Sequence, residues 1–382
     1  IISGERRAAV TPETCHKLCG KGLGLLIERK AGEGAFIDDQ DYEAAGAVMV
    51  DDVEQVYREA DLILKVKEPQ FNEVRGKHEV SMMKPGQYLV TFLHPASPSN
   101  HDLVRKLAEQ GVVSLTLDSI PRISRAQAMD ALTSMSTVAG YKAVLMAANR
   151  IPKFTAMVGT AVGVLHPARV LVVGAGVAGL QALATAKRLG AITVAADIRP
   201  AAREQAASLG AKIHDLRVPD DATVGPGGYA SVLSDMLLAQ EREALAPAVA
   251  EADILILSAL VPGRQAPMLV NPAMVQSMKP GAAIVDIAID QGGNCGLTSP
   301  GDVVTRHSVS IDGTKNIPGM VPVSATRMFA ENIFNFVGLL TDGTSLHLDL
   351  EDEIIAACLV THEGHVVHAG ALEAIPGLNG PG

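Results

Sequence analysis

Three glycines, Gly174, Gly176 and Gly179, stand at GxGxxG spacing in Val170-Leu-Val-Val-Gly-Ala-Gly-Val-Ala-Gly-Leu180. An apolar run precedes them, and a stretch of helical character follows and ends near Gly190. A strand entering a helix through such a turn suits a dinucleotide. Gly174 permits the tight turn, Gly176 lets backbone approach a pyrophosphate, and Gly179 lets helix pack on strand. Val177 and Ala178 open the helix, whose positive end would face the phosphates. Asp197 closes the next apolar run, 18 residues past Gly179, where a carboxylate can accept hydrogen bonds from ribose hydroxyls and repel a 2′-phosphate. That predicts NAD over NADP, with Ile198 beside the ribose and Arg199 softening the preference. The plainer alternative is a structural turn followed by a solvated strand end.

A chain of 382 residues exceeds one ordinary core, so two domains are expected. Short apolar runs at Leu23–Ile27, Asp61–Val66, Tyr88–Leu93 and Val112–Leu117 alternate with helix-like stretches. A second series runs through Arg169–Val173, Ile192–Ala196, Asp253–Ser258, Ala283–Ala288 and Ser308–Asp312. Each series predicts a doubly wound parallel sheet, making the chain α/β with two Rossmann-like domains joined by long helices. Ala259 and Leu260 follow one of these runs and are expected at the cofactor. Ser124–Asn149 reads as one long helix, Ala325–Leu340 as another, Val218–Gly228 as a loop followed by a helix over Ser231–Val249, and Pro376–Gly382 as disordered. The expected division is 1–125 with 325–382 as a discontinuous first domain, 126–144 as a linking helix, and 145–322 as the dinucleotide-binding domain. A strand ahead of Ile1 is also expected.

Composition excludes several roles. A net charge of −10 with 3% aromatic residues neither attracts phosphate backbones nor stacks bases, so no nucleic-acid partner is expected. Apolar runs break before the roughly 18 to 20 residues a bilayer span requires. Cys15, Cys19, Cys295 and Cys358 lack paired CxxC spacing and read as reduced thiols of a cytoplasmic protein. Cys15 and Cys19 could share a helix face, a spacing that can bind metal, but with only His16 nearby no metal is expected.

Taken with Pro121-Arg-Ile-Ser-Arg-Ala-Gln-Ala-Met-Asp-Ala-Leu-Thr-Ser-Met135 and Ala139-Gly-Tyr-Lys-Ala-Val144, the glycine motif resembles the alanine dehydrogenase and transhydrogenase alpha-subunit family over nearly the whole chain. Four features look like the NAD(H)-binding domain of proton-translocating transhydrogenase. They are the loop of Arg122, Gln127 and Asp130, the Gly227-Gly228-Tyr229 segment, Gly292-Gly-Asn-Cys295, and Leu350-Glu-Asp-Glu-Ile354 through His368. The resemblance implies that Arg122, Gln127 and Asp130, with Thr133, hold the nicotinamide ribose and ring, and that Tyr229 rides a mobile loop closing over NAD(H). Closure excludes water from hydride transfer.

Other positions resemble the substrate pocket of alanine dehydrogenase: Arg7, Lys67, His94 and Asp290, with Asn316-Ile-Pro-Gly319. Arg7 could grip a carboxylate, Lys67 could polarise a keto oxygen or imine, and His94 and Asp290 could relay protons. Each also has a bland reading as a solvated charge, a structural histidine or a turn cap. Three functions follow from the resemblance. One is a transhydrogenase subunit passing hydride between NAD(H) and NADP(H), with NADP(H)-binding and membrane-spanning partner subunits that would hold it on the inner membrane face. The second is a freestanding dehydrogenase interconverting a small amino acid and its 2-oxo acid. The third is a silent NAD-sensing module. A homo-oligomer is implied, a dimer for the first.

Overall fold

The computed structural model describes residues 4–220, 223, 233–260 and 265–378. The chain forms two compact units, 1–135 with 319–382, and 136–318.

The elements that position the sites are, in chain order, α1 (Pro12–Gly20), β1 (Leu26–Glu28), β2 (Val48–Val50), β3 (Leu62–Leu64), β4 (Tyr88–Thr91), α2 (His101–Glu109), β5 (Val113–Thr116) and α3 (Ala131–Arg150). Next come β6 (Val158–Thr160), β7 (Gly163–Leu165), β8 (Arg169–Val173), α4 (Val177–Arg188), β9 (Ile192–Ala196), α5 (Pro200–Ser208), β10 (Lys212–Ile213) and α6 (Asp235–Glu251). Then follow β11 (Ile254–Leu257), β12 (Ala283–Asp286), β13 (Val303–Arg306), β14 (Val309–Asp312), α7 (Pro322–Val337), β15 (Leu359–His362) and β16 (His365–Val366).

The second unit is a seven-stranded sheet in the order β10-β9-β8-β11-β12-β14-β13, parallel except at β13. Its central strands β8 and β11 are apolar on both faces because both are covered. Val170 and Val172 of β8, with Ile254 and Ile256 of β11, pack against Ala143 of α3 and Ala182 of α4. Leu171, Val173, Leu255 and Leu257 point the other way and meet Leu245 and Val249 of α6. Strand order reverses between β8 and β11, and in open α/β sheets such a switch point opens a crevice at the carboxyl ends of the strands.

In the first unit, β16-β15-β5-β4-β3 form one sheet, with β3, β4 and β5 parallel and β15 antiparallel to β5. Thus residues from near the chain's end complete a sheet begun near its start. Leu89, Leu93, Leu107 and Val360 lie in its core. The expected strand Leu23–Ile27 is shorter, Leu26–Glu28, and pairs only with the unforeseen β2. Among the described residues no helix is long and apolar enough to cross a membrane.

Several expected boundaries need correction. Ser124–Asn149 is not one helix: Ser124–Met129 is a 3-10 turn, and α3 begins at Ala131. Asp130 breaks the run by capping α3, its two oxygens accepting from the Thr133 N–H and hydroxyl, both at 2.7 Å. The boundary between units falls within α3, at Met135 and Ser136, so 126–144 is not a separate linker. The run Ala283–Ala288 is strand only to Asp286, beyond which Ile287–Gln291 turns into 3-10 helix. The helix expected from Ser231 begins at Asp235 with Ser234 as its cap, and Ser231 lies outside the described residues.

Candidate functional site

The glycine turn joins β8 to α4 at the switch point. Gly174 has φ +88°, a left-handed value, and a Cβ there would stand 2.6 Å from the Ala259 nitrogen. A Cβ on Gly179 would lie 1.9 Å from the Gly174 carbonyl oxygen, so helix and turn touch backbone to backbone. Gly140 of α3 closes on the same helix start, with its Cβ position 2.0 Å from the Ala178 oxygen. Gly176 differs: the nearest atom to its Cβ position is Arg199 Nη2 at 3.9 Å. The middle glycine therefore leaves an open cradle, with Val177 and Ala178 half-buried beside it. This fits a pyrophosphate against a helix N-terminus.

Asp197 follows β9 and is buried. Its Oδ2 accepts the Ala175 N–H at 2.7 Å, tying the second strand to the glycine turn. Arg199 then folds back on it, with its amide 2.8 Å and Nε 3.1 Å from Oδ1, and Nη2 2.9 Å from Oδ2. Asp197 thus reaches the expected ribose position already paired with a cation. Ile198 packs against the sheet core between them.

A second network holds the opposite wall. Asp286, fully buried, accepts from the Asn294 and Cys295 amides and the Thr298 hydroxyl at 2.9–3.1 Å. Burial pushes its carboxyl up, while these donors pull it down. Asn294 in turn takes the Ala259 N–H at 3.0 Å and donates to the Ala259 carbonyl at 2.9 Å. The Gly292–Cys295 segment therefore pins the end of β11, and Leu260 with it, beside Gly174. Ser258 adds a hydroxyl bond to the Gly174 carbonyl at 2.7 Å. Sequence reasoning missed Asp286 and Ser258, although both stand at strand ends.

The remaining candidates divide between the units. In the first, His94 follows β4 with φ 45°, a strained value for a non-glycine residue. Its Nδ1 lies 2.7 Å from Asp118 Oδ1, and its amide donates to Asp118 Oδ2 at 2.7 Å. Burial alone would lower His94, but the Asp118 carboxylate outweighs this and raises it, with Lys67 opposing. Burial would likewise raise Asp118, yet His94 and the Thr116 hydroxyl bring it down to about 2. Asp118 was not foreseen; its signal is a carboxylate directly after an apolar run, on the turn that follows the strand next to that of His94.

Lys67, beyond β3, lines a cavity of about 560 Å³ together with Arg7, Glu68, Glu79 and Lys65. It has no hydrogen-bond or ion-pair partner among the described residues, and Glu68 Oε2 is buried without one. Lys65 pairs with Glu79. Arg7 reaches the same cavity but is held by Glu5, with Nε 2.7 Å from Oε1 and Nη2 2.5 Å from Oε2, both side chains buried. Its Nη1 meets the Met135 sulfur at 3.0 Å. Arg122 and Gln127 are exposed on the loop before α3, which Asp130 and Thr133 cap. Asp290 belongs to the second unit and is exposed on the turn Ile287–Gln291. Tyr229, with Gly227 and Gly228, lies outside the described residues. Among those described, no cluster of His, Cys, Asp or Glu is arranged to hold a metal, and the four cysteines are free.

The family models "Alanine dehydrogenase/PNT, N-terminal domain" and "Alanine dehydrogenase/PNT, C-terminal domain" match residues 1–139 and 143–369. The chain belongs to the alanine dehydrogenase/PNT family. It is 41% identical over 384 residues to an NAD(P) transhydrogenase subunit alpha chain of Rhodospirillum rubrum, covering 99% of this chain and 97% of that one. The transhydrogenase structure from Sinorhizobium meliloti superposes with a TM-score of 0.83 at 37% identity, over 96% of this chain and 98% of that chain. Alanine dehydrogenase of Halomonas elongata is more distant, 35% identical over 98% of this chain and 94% of its own. Members named in both groups are oxidoreductases acting with a nicotinamide cofactor, and the α/β fold with parallel sheets is common to them.

Proposed function

We propose that this alanine dehydrogenase/PNT family chain is the NAD(H)-binding subunit of a transhydrogenase, passing hydride between NAD(H) and NADP(H) held by a partner subunit. The observation that carries this reading is the buried Arg7–Glu5 pair. An amino-acid dehydrogenase would use Arg7 to grip the substrate carboxylate, but Glu5 already occupies two of its donors. Transfer between two nicotinamides needs no such grip, because the protein supplies binding and orientation while the cofactors carry the chemistry. The open cradle at Gly176 favours a dinucleotide on this chain, with Asp197 and its partner Arg199 at the ribose edge. Arg122, Gln127, Asp130 and Thr133 hold the nicotinamide ribose in this reading, and Tyr229 closes over it. Membrane-spanning partner subunits would keep the chain at the inner face of the membrane.

The test adds a purified NADP(H)-binding subunit and follows reduction of a spectrally shifted NAD analogue by NADPH. Transfer is expected, and Lys67→Ala should leave its rate within about twofold, because uniform loss of a remote charge removes no transition-state interaction. No transfer with a competent partner would exclude the reading.

One observation favours a second function. Lys67 stands at a cavity with no partner among the described residues, close enough to His94 to depress its protonation. A freestanding dehydrogenase would place a small 2-oxo acid there. NADH oxidation with pyruvate or glyoxylate plus ammonia, abolished by Lys67→Ala or His94→Ala, would establish it.

The homodimer is supported by the β6–β7 hairpin. It is anchored at its base by the Ala168 amide on the Thr155 carbonyl at 3.0 Å, yet exposes Met157, Val162 and Val164 at 65%, 95% and 58%. A two-stranded ribbon is marginal alone, and the run Phe154–Leu165 carries no charge. Two chains of net charge −10 meet at least cost where neither is charged. Val162→Asp with Val164→Asp is expected to halve the mass measured by light scattering. An unchanged mass would remove the hairpin from the interface.

A further inference from the structure

We propose that Glu241 is a specificity-determining residue of the dinucleotide site, a second carboxylate behind Asp197 that excludes a 2′-phosphate from the adenosine ribose. The inference rests on the reading that a dinucleotide binds at Gly174–Gly179. Asp197 alone is a weak discriminator here. Arg199 binds both of its oxygens, so the pair presents little net charge to an incoming phosphate. A guanidinium at that place could even receive one.

Glu241 supplies the missing negative charge. It is 5% exposed and, among the described residues, has no hydrogen-bond or ion-pair partner. On α6 it heads the buried face continued by Ala244, Leu245, Ala248 and Val249. That face packs on Leu171 and Val173 of β8 and Val194 and Ala196 of β9. A crossover helix runs back against its parallel strands, so its first turns lie at their carboxyl ends. His214, just past β10, contacts the Ala244 carbonyl, so Glu241, nearly one turn earlier in α6, lies toward the carboxyl ends of β9 and β10. The two carboxylates repel, and burial together with this repulsion pushes Glu241 up to about 7.

Among the described residues, the other charges that act on it are weak or already matched. Arg242, on its own helix, pulls it down with the smallest of the three influences. Arg203 of α5 donates to the Ile198 carbonyl at 2.7 Å and pairs with Asp220 at 2.6 Å, so its charge is matched. Also near it are His214, after β10, whose ring contacts the Ala244 carbonyl at 2.8 Å, and Arg217, whose carbonyl accepts from Gln240.

The preference for NAD(H) is thus conditional. With Glu241 protonated, Asp197 and Arg199 leave the ribose edge nearly neutral. Once it is ionised, the edge is negative and a 2′-phosphate is repelled.

Dissociation constants of NADH and NADPH, measured by fluorescence on the full chain at pH 6.0 and 8.5, test this. The NADPH-to-NADH ratio is expected to rise by about tenfold across that range, the size of a nearby like-charge effect. In Glu241→Gln it should stay low, keeping only the shallow slope from the second ionisation of the 2′-phosphate itself near about 6, while His214→Asn should behave as the parent, isolating the carboxylate from the histidine. A parent ratio that does not change with pH, or a Gln variant that matches the parent, overturns the proposal. If the parent binds NADH at neither pH, the dinucleotide reading itself fails, which is distinguishable from NADH binding with an unmoved ratio. The parent measurement stands even if the variant does not fold.

Discussion

Gly179→Ala is expected to abolish NADH binding and to destabilise the second unit by about 3 kcal/mol or more, the upper range for forcing extra atoms into packed structure. The added Cβ would sit 1.9 Å from the Gly174 carbonyl oxygen and 3.2 Å from Ser258 Oγ. Neither neighbour can yield cheaply, because the first is backbone and the second already binds the Gly174 carbonyl. Nor can α4 retreat, since Gly140 of α3 packs against the Ala178 carbonyl from the other side. The clash must open the turn and displace the helix start from the phosphate cradle. Urea unfolding and NADH fluorescence titration measure the two effects. Binding within threefold of the parent would mean that the turn and helix are not locked together as the geometry requires.

Asp118→Ala is the second large effect, this time in the first unit. Asp118 accepts from the Leu93 and His94 amides at 3.1 and 2.7 Å and from the Thr116 hydroxyl at 2.5 Å, and its other oxygen faces His94 Nδ1. Truncation leaves the His94 amide and the Thr116 hydroxyl without this acceptor, while the Leu93 amide keeps the Thr116 oxygen at 3.1 Å. Removing one partner of a buried pair typically costs 3–5 kcal/mol, but the His94 side chain is 38% exposed, and solvent screening there brings the expectation to about 2–3 kcal/mol.

The pair also sets a pH window. Asp118 is depressed to about 2, so its stabilisation is complete above its unfolded value near 3.8 and is lost as pH falls through about 2. His94 is raised, so its share is complete below its unfolded value near 6.5 and is lost as pH rises through the folded value. The shared interaction is fullest between about pH 4 and 6.5, set by those two unfolded values. Melting temperature against pH should show that plateau in the parent. In Asp118→Ala the plateau should flatten and the His94 NMR titration should fall. An unmoved His94 titration would show that Asp118 is not its partner.

Much of the architecture can be read without coordinates. Strands form at Arg169–Val173 and Ile192–Ala196 where the apolar runs lie, because burial on both faces leaves the sequence little freedom to be anything else. The short strands Val48–Val50 and Lys212–Ile213 escape such reading. So does the antiparallel return of Leu359–His362 onto Val113–Thr116, since pairing with a sheet edge is decided by what the rest of the chain leaves open. The long helix expected from Ser124 fails at Asp130, where a side chain competes for the helix's first amides.

By itself, then, the sequence determined the α/β class, the parallel strand series of each unit and the glycine turn, because periodicity and glycine spacing act locally. Only the tertiary structure decided how the charges are spent. Glu5 closes Arg7, Arg199 folds onto Asp197, Asp118 takes up His94, and Glu241 arrives behind the ribose edge from a helix 44 positions further on. A carboxylate's role depends on which cation or amide the fold brings within about 3 Å of it, and spacing along the chain does not encode that.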